Sequence, residues 1–375
     1  MRVLFAPDSF KGSLSSVEVA RALADGWARG RADDEAVLAP LADGGEGTLD
    51  AIEAAGGWTR RHARVLDPIR REIDGTWLER SDQGRVEAVV EMAVASGLSR
   101  LAQHERDPLG ATSVGTGQLL LAAIDAGATA ITLGIGGSAT NDGGRGILEA
   151  LGATVREGGG VLSIDFAGLD SRLAGIDLRV ACDVDNPLLG PHGAAATYGP
   201  QKGASLTEVV AIDSRLGLWA TALEAASGRR ERETPGAGAA GGVGFALLCL
   251  QDHFGSFALR PGVELVMAAT GFDAALAGAD LVVTGEGRID AQTAFGKTAM
   301  GVATKARAAN LPCIAVGGGC TPEGIAVLTA LGVVVVPVSE VPQSVETAMA
   351  AGPEPLVRCE ERLARLIGVG LGLVR

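Results

Sequence analysis

Short apolar runs alternate with helical periodicity at both ends of the chain. RVLFA (2–6) and AVLAPL (36–41) have the unbroken apolar character of buried strands. Helical spacing follows them, from Ser13 to Arg29 and again from about Thr48. Near the far end, DLVVTG (280–285), CIAVGG (313–318) and VVVVPV (333–338) repeat the strand pattern with helical stretches between. Apolar strands alternating with helices predict a parallel sheet covered on both faces.

The middle of the chain has another rhythm. Residues 64–91 break at DPIRR and SDQG and predict an antiparallel meander. A helix is expected from Thr112 to Gly127 and a buried strand at RVACD (179–183). GRRERETPGAGAAGG (228–242), polar and then rich in Gly and Ala, reads as a surface excursion. The expected architecture is a doubly wound, Rossmann- or flavodoxin-like α/β domain built from residues 1–60 and 275–375. A second α/β domain with a mixed sheet, residues 61–274, is inserted into it.

Composition narrows the class. The 375 residues suffice for about two domains. Fifty-five glycines with 3% aromatics place many tight loops between short elements. A formal net charge of −13 argues against nucleic-acid or anionic-membrane partners. Five scattered cysteines without C-x-x-C spacing read as reduced thiols of a cytoplasmic protein. Neither a signal-peptide pattern nor an apolar run of membrane-spanning length is expected.

Candidate chemistry gathers where the apolar runs end. PDSFKGS, ADGGEGT, GEGRID and GGG each follow a strand candidate at one end of the chain; GIGGSATNDGG and DVDNPLLG do so in the middle. Ligands of open parallel sheets bind at the carboxyl ends of strands. These loops hold Asp8, Asp43, Glu46, Asp183, Asp185, Glu286 and Asp290, while Lys11, Lys202 and Lys297 stand in glycine-flanked settings. Carboxylates to hold Mg²⁺ and cations to meet a phosphoryl group are what phosphoryl transfer requires. His62, His104, His192 and His253 lie too far apart for a zinc site, and no G-x-S-x-G elbow exists.

Two stretches bear on phosphate. In ITLGIGGSATNDGGRG (131–146), Gly134, Gly136 and Ala139 satisfy a loose dinucleotide fingerprint, with Glu157 as the possible ribose acid. The same stretch is also a strand-to-helix turn whose helix N-terminus would attract an anion. AQTAFGKT (291–298) misses the P-loop pattern only at Ala291, which leaves Lys297 as a phosphate ligand or a surface lysine.

Taken in order, APDSFKGSLS, PLADGGEGT, LGIGGSATNDGG, DVDNPLLGPHGAA, GPQKGA, PGAGAAGG and TGEGRIDAQTAFGK resemble the glycerate kinase type-1 family of bacterial glyoxylate and glucarate catabolism. The resemblance implies ATP-dependent phosphorylation of D-glycerate to 2-phosphoglycerate in a cleft between two α/β domains, with Mg²⁺. Within that expectation, Gly136, Gly137, Ser138, Thr140 and Asn141 bind the ATP phosphates with Lys202 and Lys297, and Asp185 or Glu286 holds Mg²⁺. Arg288, with Asp8, Ser9 and Asp290, binds glycerate; Lys11 assists, and Asp183 or Asp43 takes the hydroxyl proton. Phosphorylation at the other hydroxyl is the nearest alternative. An NAD(P)-dependent hydroxy-acid dehydrogenase and a non-catalytic nucleotide-binding module are more distant ones.

Overall fold

The computed structural model of the chain describes residues 1–82, 84–158, 161–294 and 297–372. It is a mixed α/β protein. Its strands begin with β1 (Arg2–Phe5), β2 (Glu35–Leu38), β3 (Thr59–Leu66), β4 (Glu72–Asp82) and β5 (Arg85–Glu91). They continue with β6 (Ala130–Gly134), β7 (Thr154–Gly158), β8 (Val161–Asp165), β9 (Asp177–Ala181) and β10 (Ser256–Arg260). Last come β11 (Leu281–Ile289), β12 (Cys313–Cys320) and β13 (Val334–Pro337).

Two compact units emerge. The first comprises Met1–Asp43, Asp50–Gly56 and the chain from Val263 onward. Its sheet, in the order β13-β12-β11-β1-β2, is parallel throughout. Counted within the unit this is the 2-1-3-4-5 order of flavodoxin-like folds, whose switch point falls between β1 and β11. Helix Ser16–Gly30 covers one face because Ser15 and Glu18 form a reciprocal capping box and Val19, Leu23 and Trp27 point into the core. It packs against helix Glu354–Gly370, and the close approach requires Gly26: a Cβ there would lie 2.3 Å from Val357 O.

The second unit comprises Gly44–Leu49 and Gly57–Gly262. Its sheet runs β10-β9-β6-β5-β4-β3. The meander expected over 64–91 is present as the antiparallel strands β3, β4 and β5, and the other pairings are parallel. Strands β7 and β8 form a separate antiparallel hairpin.

The segment 228–242 departs from the surface excursion expected of it. Gly236, Ala237, Gly238, Ala239, Gly241 and Gly242 are buried, and Gly241 lies so near the loop after β6 that a Cβ would sit 2.0 Å from Thr140 O. Small residues are needed here for close backbone contact, not for exposure.

Candidate active site

In the first unit, the loops after β1 and at the end of β11 build a polar floor. The chain beyond β1 stays bound to its neighbour, with Asp8 N–H donating to Gly285 O at 2.8 Å. That leaves the Asp8 side chain at the switch point, buried. Its carboxylate accepts the Ser9 amide at 2.6 Å and the Thr298 hydroxyl at 2.6 Å. Burial, reinforced by the charge of Asp43, pushes its pKa up to about 6.

Glu286, on β11, is held in the same manner. Its Oε1 accepts the buried Thr293 hydroxyl at 2.6 Å, and Lys297 Nζ stands 3.9 Å from Oε2. Burial pushes this carboxyl to about 7, with the negative charges of Asp8 and Asp290 adding to the effect. Lys11 Nζ lies 3.5 Å from Asp43 Oδ2, and the neighbouring carboxylates raise its pKa. Arg288 is 73% exposed and meets Asp290 at 3.2 Å.

These groups share one cleft of about 730 Å³, lined on its polar side by Asp8, Ser9, Lys11, Asp43, Glu286, Arg288 and Lys297. Asp290 joins them through Arg288. The candidate residues of the first unit are thus brought together, although the sequence reading divided them among substrate, metal and phosphate roles. Thr293 and Thr298 were not singled out. Their signal was present in AQTAFGKT, as hydroxyls beside the lysine, but their carboxylate partners lie elsewhere in the sequence. Phe295 and Gly296 of that motif fall outside the described residues.

The second unit corrects the reading of GIGGSATNDGG. The helix it leads into, Arg145–Ala150, has its first amides occupied by Asp142, which accepts from Gly144 N at 3.0 Å and Gly146 N at 3.2 Å. Asp142 also accepts from Ser113 Oγ at 2.8 Å. The expected anion site at this helix N-terminus is therefore filled by the protein's own carboxylate.

The glycines serve the backbone as well. A Cβ on Gly134 would sit 2.4 Å from Gly44 O, and one on Gly136 would sit 2.6 Å from Gly45 Cα. Lys202 is buried and donates to Thr140 O at 2.6 Å; burial pushes its pKa down to about 7. Its ammonium supports the loop from within. Asn141 Nδ2 donates to Pro108 O at 3.1 Å, and Ser138 is buried against Gly97. Thr140 is buried too, its hydroxyl without a hydrogen-bond partner. Gly137, with φ +71°, is the exposed point of the turn.

Asp183 accepts the Gly262 amide at 2.9 Å, and Asp185 is exposed. Glu91, not singled out from sequence, is buried at the end of β5 and accepts the amides of Gly47 at 3.2 Å and Leu49 at 3.1 Å. It fixes the loop ADGGEGT. Among the described residues no group of three or more His, Cys, Asp and Glu converges on a metal position, and no helix is long and apolar enough to cross a membrane.

A parallel sheet whose strand ends converge buried carboxylates and lysines on a cleft defines an α/β enzyme equipped for phosphoryl chemistry. The chain belongs to the glycerate kinase family, whose model matches residues 3–368. It is 44% identical over 335 residues to the Glycerate 2-kinase of Escherichia coli (strain K12), covering 86% of each chain. It is also 44% identical over 340 residues to the Glycerate kinase of Bacillus subtilis (strain 168), covering 87% of each. A crystal structure assigned as glycerate kinase 2 from Salmonella typhimurium LT2 matches the whole of both chains with a TM-score of 0.83 at 40% identity. The chain is accordingly a kinase, a phosphotransferase with an alcohol acceptor. The dinucleotide alternative loses its acid, since Glu157 lies on the β7–β8 hairpin and pairs with Arg145.

Proposed function

We propose that the protein transfers the γ-phosphoryl group of ATP to the C2 hydroxyl of D-glycerate, giving 2-phosphoglycerate and ADP. The observation that carries this reading is the 44% identity to the E. coli protein named glycerate 2-kinase. In the step itself the substrate oxygen bonds to phosphorus, the bond to the ADP oxygen breaks, and the hydroxyl proton passes to a carboxylate.

Arg288 presents a planar pair of donors to the glycerate carboxylate, oriented by Asp290 and assisted by Ser9. Asp43 takes the hydroxyl proton, with Asp183 as the alternative base in the second unit. Lys11 and Lys297 offset the charge of the transferring phosphoryl group. The backbone amide of Gly137, at the exposed point of the turn, adds a phosphate donor, while Ser138, Thr140, Asn141 and Lys202 hold that turn in shape.

Mg²⁺ suits Glu286 and Asp8. Both are hard carboxylate donors, their ionised forms lack a full complement of cations, and Mg²⁺ characteristically takes only one or two protein carboxylates alongside phosphate oxygens. Asp185 is the alternative ligand. The ion would neutralise phosphate charge and lower the pKa of both acids. A cytoplasmic place in glyoxylate or glucarate catabolism accompanies this reading. Incubating the reaction product with enolase alone, without a mutase, tests the position: phosphoenolpyruvate is expected, and its absence despite ADP release assigns the C3 hydroxyl instead.

A further inference from the structure

The first unit's cleft is much larger than its polar floor. A three-carbon acid occupies on the order of 100 Å³ at protein-like packing density. The cleft's ~730 Å³ lies inside the roughly 300–1,000 Å³ range of pockets for drug-sized ligands. Besides Lys11, Arg288 and Lys297 its lining includes the apolar side chains Leu14, Val341, Val345 and Met349. Helix Val345–Ala350 presents those last two side chains one turn apart on the same face. Both remain accessible, Val345 at 74% and Met349 at 37%.

This wall is joined to the cationic floor. Ser13 Oγ donates to Met349 O at 3.0 Å, and a Cβ on Gly12 would sit 2.6 Å from Met349 Cε, so the loop bearing Lys11 abuts the helix directly. At the rim, Arg358 pairs with Glu340 at 2.9 Å and contributes no free charge. Such a cleft suits a ligand with an anionic end and a flat, weakly polar end several ångströms away.

We infer that the apolar outer half of this cleft, lined by Leu14, Val341, Val345 and Met349, is the seat of the purine nucleoside of the phosphoryl donor. The donor's phosphates then run inward to Lys11 and Lys297. The inference rests on the kinase reading for the identity of the donor. It adds a nucleoside site in the first unit, where the sequence had pointed only to phosphate ligands. Because the base is held by apolar contact at an open wall, the seat discriminates purine from pyrimidine by contact area and not by a dense set of hydrogen bonds.

Two exposed positions allow a test without disturbing the core: Val345→Glu places a like charge beside the donor, and Ala348→Trp fills the outer half. Binding of a fluorescent N-methylanthraniloyl ATP is measured directly, alongside the KM values for ATP and D-glycerate. Both variants are expected to melt as the wild type does, to weaken analogue binding about tenfold, to raise the KM for ATP similarly, and to leave that for glycerate within twofold. Wild-type analogue affinity in both variants, or a rise confined to the KM for glycerate, overturns the seat. Loss of analogue binding in the variants, combined with a wild type that releases no ADP in the presence of glycerate, supports the seat and sinks the kinase reading instead.

Discussion

The Thr298 hydroxyl donates to Asp8 Oδ2 at 2.6 Å, and both side chains are buried at the end of β1. Thr293 repeats the arrangement with Glu286, also at 2.6 Å. AQTAFGKT, which nearly matches a P-loop, thus orients two carboxylates from the strand ends. A hydrogen bond to the ionised form favours that form, and it opposes the burial that drives both acids upward.

Removing that bond should be visible in the pH profile. In Thr298→Val the pKa of Asp8 rises further above about 6, because the bond that lowers it is gone. The acidic limb of kcat/KM should move to higher pH by up to about one unit, costing up to roughly fivefold in rate at pH 6. Thr298→Ser should restore the profile. An unshifted limb in the valine variant would mean that ionisation of Asp8 does not govern kcat/KM.

Arg288 is tested by splitting the kinetic constants. Arg288→Ala should raise the KM for D-glycerate by about tenfold or more, as expected for loss of a charge-assisted pair, and leave that for ATP within twofold. The reverse split would move Arg288 to the nucleotide.

Gly136 tests the backbone account of the glycine loop. In Gly136→Ala the new methyl meets Gly45 Cα at 2.6 Å, a backbone atom that cannot rotate away. Urea unfolding should show a loss of about 1–3 kcal/mol. If stability is unchanged but the KM for ATP rises, the glycine is kept for the phosphate instead.

Glu360 makes a separate claim on stability. It is fully buried, neither carboxyl oxygen has a hydrogen-bond partner, and burial pushes its pKa up to about 8. An acid whose pKa is raised on folding holds its proton where the unfolded chain has lost it. It therefore withdraws stability as pH rises from about 4.5 through about 8. Glu360→Gln should be more stable than the wild type at pH 8.5, by about 1–3 kcal/mol in urea unfolding, and the gain should shrink towards pH 5. A gain independent of pH would contradict the burial account.

Much of this architecture was legible because apolar runs carry strand position directly. RVLFA, DLVVTG and CIAVGG correspond to β1, β11 and β12, and the break at DPIRR corresponds to the turn between β3 and β4. Loops with carboxylates at those strand ends led to Asp8, Lys11, Asp43 and Glu286, since a parallel sheet displays such loops along one edge.

What escaped depends on contacts between distant residues. Thr298 and Asp8 are 290 positions apart, and Glu91 reaches back to the amides of Gly47 and Leu49. Glycine was the other obstacle. Gly134, Gly136 and Gly241 are small so that protein backbones can touch, and in a sequence this cannot be told from a backbone opened to a phosphate.

Glycerate-dependent ADP release by the purified protein, with ATP and Mg²⁺, tests the central claim most directly. The account predicts saturable turnover with D-glycerate, little without an acceptor, and strong loss in the Asp43→Asn variant. ADP release indifferent to D-glycerate would contradict it.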